Sequence, residues 1–240
     1  MKIKETLAKS INKIFDTVFP VEIKCIFCGK ELPEDTIFCD ECKRNEVLNV
    51  GNKCVKCDTI IKEGNIICDN CRDYKRAFDK CFAPLIYDGN VRKAILSFKS
   101  DNARYLAKPF AELMCKRVLE ENIDIDYIIP VPSHKKTIRK RGYNPARLLA
   151  DELSVLLDKP VLDIFIKNVI TKKQKELSFH ERQNNLQDSI IVTDKKLVRK
   201  KNVLIVDDII TTCATINVCS KLINNANKIY ACSIARTRIF

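Results

Sequence analysis

From about residue 80 onward, short runs of consecutive apolar, mostly β-branched residues alternate with longer segments whose apolar positions return every three or four residues. The runs are FAPLIY (82–87), IDYIIPVP (125–132), PVLDIFI (160–166), SIIVT (189–193), VLIVDD (203–208) and IYACSI (229–234). Helical spacing begins at NVRKAILSF (90–98) and returns over 103–121. It follows Asn144-Pro145 with Leu149, Leu153, Leu156 and Leu157, and recurs over about 215–225 with Ile216, Cys219, Leu222, Ile223 and Ala226 in register. Asn144 suits an N-cap, and Pro145 suits the first helical position, where no amide donor is needed. Strands that are apolar throughout, alternating with helices, predict an α/β fold: a mainly parallel sheet with helices on both faces. Ligands of such sheets meet the carboxyl ends of the strands.

The chain before Cys81 follows other patterns. Over 1–20, Ile3, Leu7, Ile11, Ile14, Phe15 and Val18 recur at helical spacing, which predicts a short amphipathic helix docked on its own domain rather than on a membrane surface. Lysines interrupt this stretch, so it does not read as a signal peptide, and no apolar run reaches the roughly 18 residues that span a bilayer. Residues 21–80 carry eight regularly placed cysteines instead of a periodic apolar pattern. The expected organisation is a helix (1–20), a double zinc-ribbon module (21–80) and the α/β domain (81–240).

The zinc expectation rests on spacing. Cys25-x2-Cys28-x10-Cys39-x2-Cys42 recurs as Cys54-x2-Cys57-x10-Cys68-x2-Cys71, every cysteine shifted by the same offset, which marks an internal duplication. Two residues between thiolates let a tight knuckle aim both sulfurs at one ion, and a hairpin of about ten residues brings round a second knuckle. Without a secretory signal the thiols belong in a reducing cytoplasm, which favours two structural zinc ions over a disulfide framework. One ion per repeat is expected; the alternative, a cross-braced pairing of first with third knuckles, keeps the same eight ligands. Of the other five cysteines, Cys81, Cys115, Cys219 and Cys232 read as small core residues, and Cys213 stands apart in a polar turn.

Charge adds a direction. The net charge is +12, and the surplus sits in 81–240, with 28 Lys and Arg against 17 Asp and Glu; 21–80 carries 11 against 12. An anionic ligand of the α/β domain is implied, either phosphate esters or nucleic acid. The near-neutral cysteine module lacks the clustered cations that grip a phosphate backbone, so it reads as structural or docking.

Two strand ends suit a phosphorylated sugar. At the first, VLIVDDIITTCAT delivers Asp207 and Asp208 to the mouth of the sheet and leads through Thr211, Thr212, Cys213, Ala214 and Thr215 into a helix, whose amides and dipole attract an anion. The carboxylates would face ribose hydroxyls or Mg²⁺; the plainer alternative is that Asp208 and a threonine only cap the helix. At the second, PVPSHKKTIRKRGYNPA places Lys135, Lys136, Arg139, Lys140 and Arg141 after a strand end. This reads as a mobile loop that clamps polyphosphate, with a solvated charge run as the alternative.

On these residues the chain resembles type I phosphoribosyltransferases in VLIVDDIITTCAT. Over its whole length it resembles the ComF family of competence-associated phosphoribosyltransferase-like proteins, through the N-terminal helix, the paired cysteine repeats, IIPVP followed by RKRGYN, KKQKEL…ERQNNL and VDDIITT. The resemblance implies that Asp207 and Asp208 hold the ribose hydroxyls of phosphoribosyl pyrophosphate (PRPP), and that Thr211 to Thr215 hold its 5′-phosphate. It puts Ser133 to Arg141 on the pyrophosphate side, makes Lys172, Lys173 and Gln174 part of a flexible lid, and brings Mg²⁺ in with PRPP. It also implies a cytoplasmic role in DNA uptake during natural transformation, with single-stranded DNA or DNA-uptake proteins as partners; a non-catalytic DNA-binding or adaptor protein on the same fold is the alternative.

Four positions depart from the pattern. Thr211 stands where relatives acting on purines often carry an acid, Cys213 where glycine is usual, Pro145 where glutamine is common, and Ser97 where a lysine is common. No nucleophile or general base is identifiable.

Overall fold

The computed structural model describes residues 24–32, 36–44, 48–100, 103–167 and 189–238. The expected helix at 1–20 and the lid residues Lys172, Lys173 and Gln174 lie outside the described residues. The strands are β1 (Lys80–Phe82), β2 (Leu85–Ile86), β3 (Tyr127–Pro130), β4 (Phe165–Lys167), β5 (Ile190–Val192), β6 (Asn202–Ile210) and β7 (Lys228–Arg236). The helices are α1 (Asp40–Arg44), α2 (Asp69–Asp73), α3 (Gly89–Ser100), α4 (Ala107–Glu120), α5 (Lys135–Arg141), α6 (Pro145–Leu157) and α7 (Ala214–Leu222).

The main sheet runs β1-β7-β6-β3, with β2 also on β7, and every pairing in it is parallel. Val203, Leu204, Ile205 and Val206 of β6 are fully buried, as strands covered on both faces must be. Leu204, Val206 and Ile234 pack with Phe98 of α3, Phe110 and Met114 of α4 and Leu149 and Leu153 of α6. Val203, Ile205 and Ala231 pack with Ile216 and Cys219 of α7 and with Phe165 and Ile190. The expected α/β architecture is present, and Cys81, Cys115, Cys219 and Cys232 are buried core residues as expected.

Three local expectations change. FAPLIY is two strands, because Pro84 offers no amide to the ladder; Asn49 bridges the break, its N–H donating to the Pro84 carbonyl at 2.8 Å and its Nδ2 to the Ala83 carbonyl at 3.2 Å. PVLDIFI also divides. Val161 continues the main sheet beside Ile128, whereas 165–167 leaves it to pair antiparallel with β5. The basic segment expected as a loop folds as helix α5. The His134 ring caps it by accepting from the Lys136 N–H at 3.0 Å, and Gly142 ends it in the left-handed region at φ 84°. Arg104 secures that end: its guanidinium lies 4.8 Å over the Tyr143 ring and donates to the Gly142 carbonyl at 3.4 Å. At the other junction the Asn144 side chain accepts from Ala146 N–H at 3.2 Å and donates to the Val131 carbonyl at 3.0 Å, so the expected cap also ties α6 to β3.

Candidate functional site

The carboxyl ends of β6 and β3 lie side by side, since Pro130 pairs with Val206 and the Val131 N–H donates to the Val206 carbonyl at 2.8 Å. The two sequence-predicted segments therefore emerge at one edge of the sheet, Asp207–Thr215 from β6 and Ser133–Arg141 from β3.

Within β6 the apolar run ends at Asp207 and Asp208, both half-buried. Burial pushes the Asp207 carboxyl up to about 7, the adjacent Asp208 charge adds to this, and the Asp208 N–H, Lys99 and Lys167 oppose it. Asp207 Oδ1 accepts that N–H at 2.8 Å. Asp208 Oδ1 lies 2.7 Å from Lys99 Nζ, an ion pair that the sequence reading missed. Lys99 follows the fully buried Ile95 by one helical turn of α3, so a lysine on the apolar face of that helix was the available signal.

After β6, Thr211 and Thr212 are exposed, Cys213 is buried, and Ala214 and Thr215 open α7. Cys213 occupies the N-cap position in the left-handed region, φ 62° and ψ 13°, and its own side chain does not cap the helix. Cys213 adopts the conformation that glycine takes without strain. Its thiol is 3.5 Å from that of Cys81 and also interacts with that of Cys57.

Across from this turn, Lys135, Lys136, Arg139 and Lys140 are exposed on α5 and Arg141 is half-buried; none forms an ion pair among the described residues. Ser133, expected beside them, donates its hydroxyl to Asn144 Oδ1 at 2.8 Å, which makes it part of the connection to α6.

The cysteine repeats form two clusters, Cys25, Cys28, Cys39 and Cys42, and Cys54, Cys57, Cys68 and Cys71, with the sulfurs of each within 4.8 Å of one another. Pairing is within repeats, not across them. The donor set fits zinc: Cys28 and Cys39, and likewise Cys57 and Cys68, hold their sulfurs 3.6 Å apart, near the roughly 3.8 Å of a tetrahedron with Zn–S of about 2.3 Å. The duplication extends to the backbone. Gly29 and Asp58, which occupy equivalent positions of the two repeats, both turn left-handed (φ 75° and 61°), and each donates its N–H to the carbonyl of its knuckle's first cysteine at 2.8 Å. Burial opposes ionisation of Cys25, but the amides of Cys39, Cys28 and Phe27 outweigh it, whereas Cys28 and Cys42 of the same cluster are pushed up, so one thiolate forms readily and the others need the ion's charge to follow.

The second cluster is built into the core. Asp58, 1% exposed, accepts from Asn49 Nδ2 at 2.7 Å and from the Ala83 N–H at 3.1 Å, and it pairs with Arg117 of α4 at 3.1 Å and Lys53 at 3.4 Å. Arg117 also pairs with Glu121 at 2.5 Å.

The sequence profile of the phosphoribosyl transferase domain matches residues 110–236, which include both strand ends but none of the eight clustered cysteines. Competence protein F of Haemophilus influenzae is 35% identical over 137 residues, covering 54% of this chain and 59% of that protein. The chain therefore spans about three fifths of the length of this curated relative. Among solved structures, the purine phosphoribosyltransferase from Pyrococcus horikoshii matches with 18% identity and a TM-score of 0.34, covering 55% of this chain and 74% of that one.

Proposed function

Since the chain belongs to the phosphoribosyl transferase domain family, we propose that it binds PRPP with Mg²⁺ at the joint end of β6 and β3, as a phosphoribosyltransferase-like protein of the competence-associated type. One observation carries the reading: two adjacent carboxylates, Asp207 and Asp208, are followed within one short turn by the start of α7, where Cys213 offers no cap of its own, so hydroxyl acceptors and phosphate donors succeed one another at one strand end.

The roles follow from the chemistry of each group. Asp207 and Asp208 accept from the ribose hydroxyls, and Lys99 offsets part of their charge so that an anionic sugar can approach. The amides opening α7 and the hydroxyls of Thr211, Thr212 and Thr215 donate to the 5′-phosphate. Lys135, Lys136, Arg139, Lys140 and Arg141 line the pyrophosphate side with cations. The carboxylates and the sugar's own oxygens form the hard oxygen set Mg²⁺ requires, and the bound ion supplies positive charge to the pyrophosphate. The two zinc centres hold the ribbons, and eight cysteines committed to zinc suit a reducing, cytoplasmic setting.

The likeness to competence protein F supports a place in DNA uptake. Recognition of single-stranded DNA by base stacking has less support, because Tyr143, the aromatic residue beside the basic helix, is only 6% exposed. Its hydroxyl donates to the Phe98 carbonyl and Arg104 covers its ring.

Calorimetric titration of the zinc-loaded chain with PRPP and Mg²⁺ tests the reading. Saturable binding is expected, weakened about tenfold or more in Asp207→Asn/Asp208→Asn, because hydrogen bonds to charged groups contribute about 1.5–3 kcal/mol each. Absence of binding, or equal binding by the double variant, removes the reading.

A further inference from the structure

A groove of about 540 Å³ runs between the first cysteine repeat and α4, away from the proposed PRPP site. Its apolar lining comes from Ile37 and Phe38 of the first repeat, Leu48 and Val50 of the connection between repeats, Pro84, and Leu113 of α4. Phe38, Leu48 and Leu113 pack against the core and yet stay half-buried, and Val50 is 65% exposed. Contiguous apolar surface of this kind marks a place where something docks.

Two observations name the occupant. The first is reach. The described residues begin at Lys24, beside this groove: Lys24 bridges Glu31, and the Ile26 N–H donates to the carbonyl of the groove residue Ile37 at 3.2 Å. The amphipathic stripe Ile3, Leu7, Ile11, Ile14 and Val18 ends shortly before, since Pro20 disfavours helix at Phe19. Even a fully extended link keeps Val18 within about 22 Å of Lys24. The second is charge. Asp58 and Glu121 balance Lys53 and Arg117 at the groove, which leaves the carboxylates of Asp40, Glu112 and Glu120 against Lys116. Residues 1–20 carry the opposite surplus, Lys2, Lys4, Lys9 and Lys13 against Glu5 and Asp16. A basic amphipathic helix thus meets an apolar groove with an acidic rim.

We propose that this groove is the docking site of the chain's own N-terminal segment, Ile3–Val18, which lies in it as a helix and ties the first cysteine repeat to α4. A helix this short is marginal in water by itself, so its order depends on that contact. The chain has no tryptophan, so Val50→Trp sets a single reporter on the groove. In the zinc-loaded full chain its emission should be that of a buried indole at every protein concentration, and adding Leu7→Glu/Ile14→Glu should shift it to the red. The same pair of substitutions in the otherwise wild-type chain should speed hydrogen exchange over residues 36–40 and 48–53 about tenfold or more, with both zinc ions retained. A benzophenone side chain in place of Ile14 should attach, within one chain, to peptides that carry Phe38 or Leu113. Should the glutamate variant lose zinc, the cross-link decides alone. An exposed indole in the intact chain, no change on adding the glutamates, or attachment elsewhere on the chain overturns the proposal. Attachment between chains with concentration-dependent emission gives the groove to a second copy and overturns it too. So does a segment that turns helical only on phosphatidylglycerol vesicles while the indole stays exposed.

Discussion

The thiol of Cys213, in the turn after β6, lies 3.5 Å from that of Cys81 on β1, and it also meets Cys57 of the second cysteine cluster. A residue in the turn proposed to hold a phosphate is thus packed against a thiol of the second cysteine cluster, from a distant part of the chain. The cysteine accepts a left-handed backbone, φ 62°, and its buried sulfur fills the space between the turn and the repeat.

Substitutions at Cys213 should separate backbone from packing. Cys213→Gly relieves strain of about 1 kcal/mol while leaving a small void, so its stability in urea should stay within about 1 kcal/mol of wild type. Cys213→Val keeps the strain and adds a branched side chain, and should lose about 2 kcal/mol or more.

Metal analysis should find two zinc ions per chain, one for each cluster. Cys28→Ser and Cys57→Ser should each reduce this to one. Only Cys57→Ser should also weaken PRPP, by about tenfold, because among the described residues it is Cys57 of the second cluster that interacts with Cys213 in the turn proposed to hold the phosphate. Equal PRPP affinity in the two variants would break the proposed link.

Asp207 predicts a pH dependence. Its carboxyl is raised from 3.8 to about 7, so the folded chain keeps a proton that the unfolded chain releases. The stability this contributes is present below about pH 4 and is lost as pH rises toward about 7. Against wild type, Asp207→Asn should therefore gain in melting temperature across that window and level off above it, measured without PRPP. Lys99→Met should move the wild-type midpoint higher, because the Lys99 charge lowers it. Parallel melting curves for Asp207→Asn and wild type at all pH values would contradict the assignment.

Asp58→Gly removes a buried carboxylate that serves Arg117, Lys53, Asn49 and the Ala83 N–H together. Glycine is the residue of the first repeat at this position, Gly29, so the left-handed turn is preserved while Arg117 loses a partner at 3.1 Å. Leaving that buried guanidinium short of a counter-charge should cost about 3–5 kcal/mol in urea denaturation. A loss below about 1 kcal/mol would mean that Glu121 suffices for Arg117 and that water replaces Asp58 for its other donors.

What the sequence determined by itself was the part set by local chemistry. β-Branched runs mark the strands, because an extended backbone accommodates them at any contact partner. The cysteine spacing identifies all eight clustered thiols, since a knuckle is closed by its own amides. Asn144 and Pro145 announce α6 because a cap needs only its own first turn. Pro84 offered a local sign of the break between β1 and β2, but which strand each half joins depends on β7, far along the chain.

Tertiary structure alone decided the relationships between distant segments. The spacing favoured one ion per repeat but left a cross-braced alternative, which the packing of the two clusters removes. Five cations in one short segment read as a loop, until His134, Gly142 and a guanidinium from Arg104 close them into α5. Lys99 reaches Asp208, Cys213 reaches Cys57, and Arg236 is buried under the second repeat only because the sheet order sets those elements side by side. Such contacts join positions remote from one another in the chain, where neither periodicity nor spacing carries a signal. They exist once folding has offset the entropy of closing those long loops.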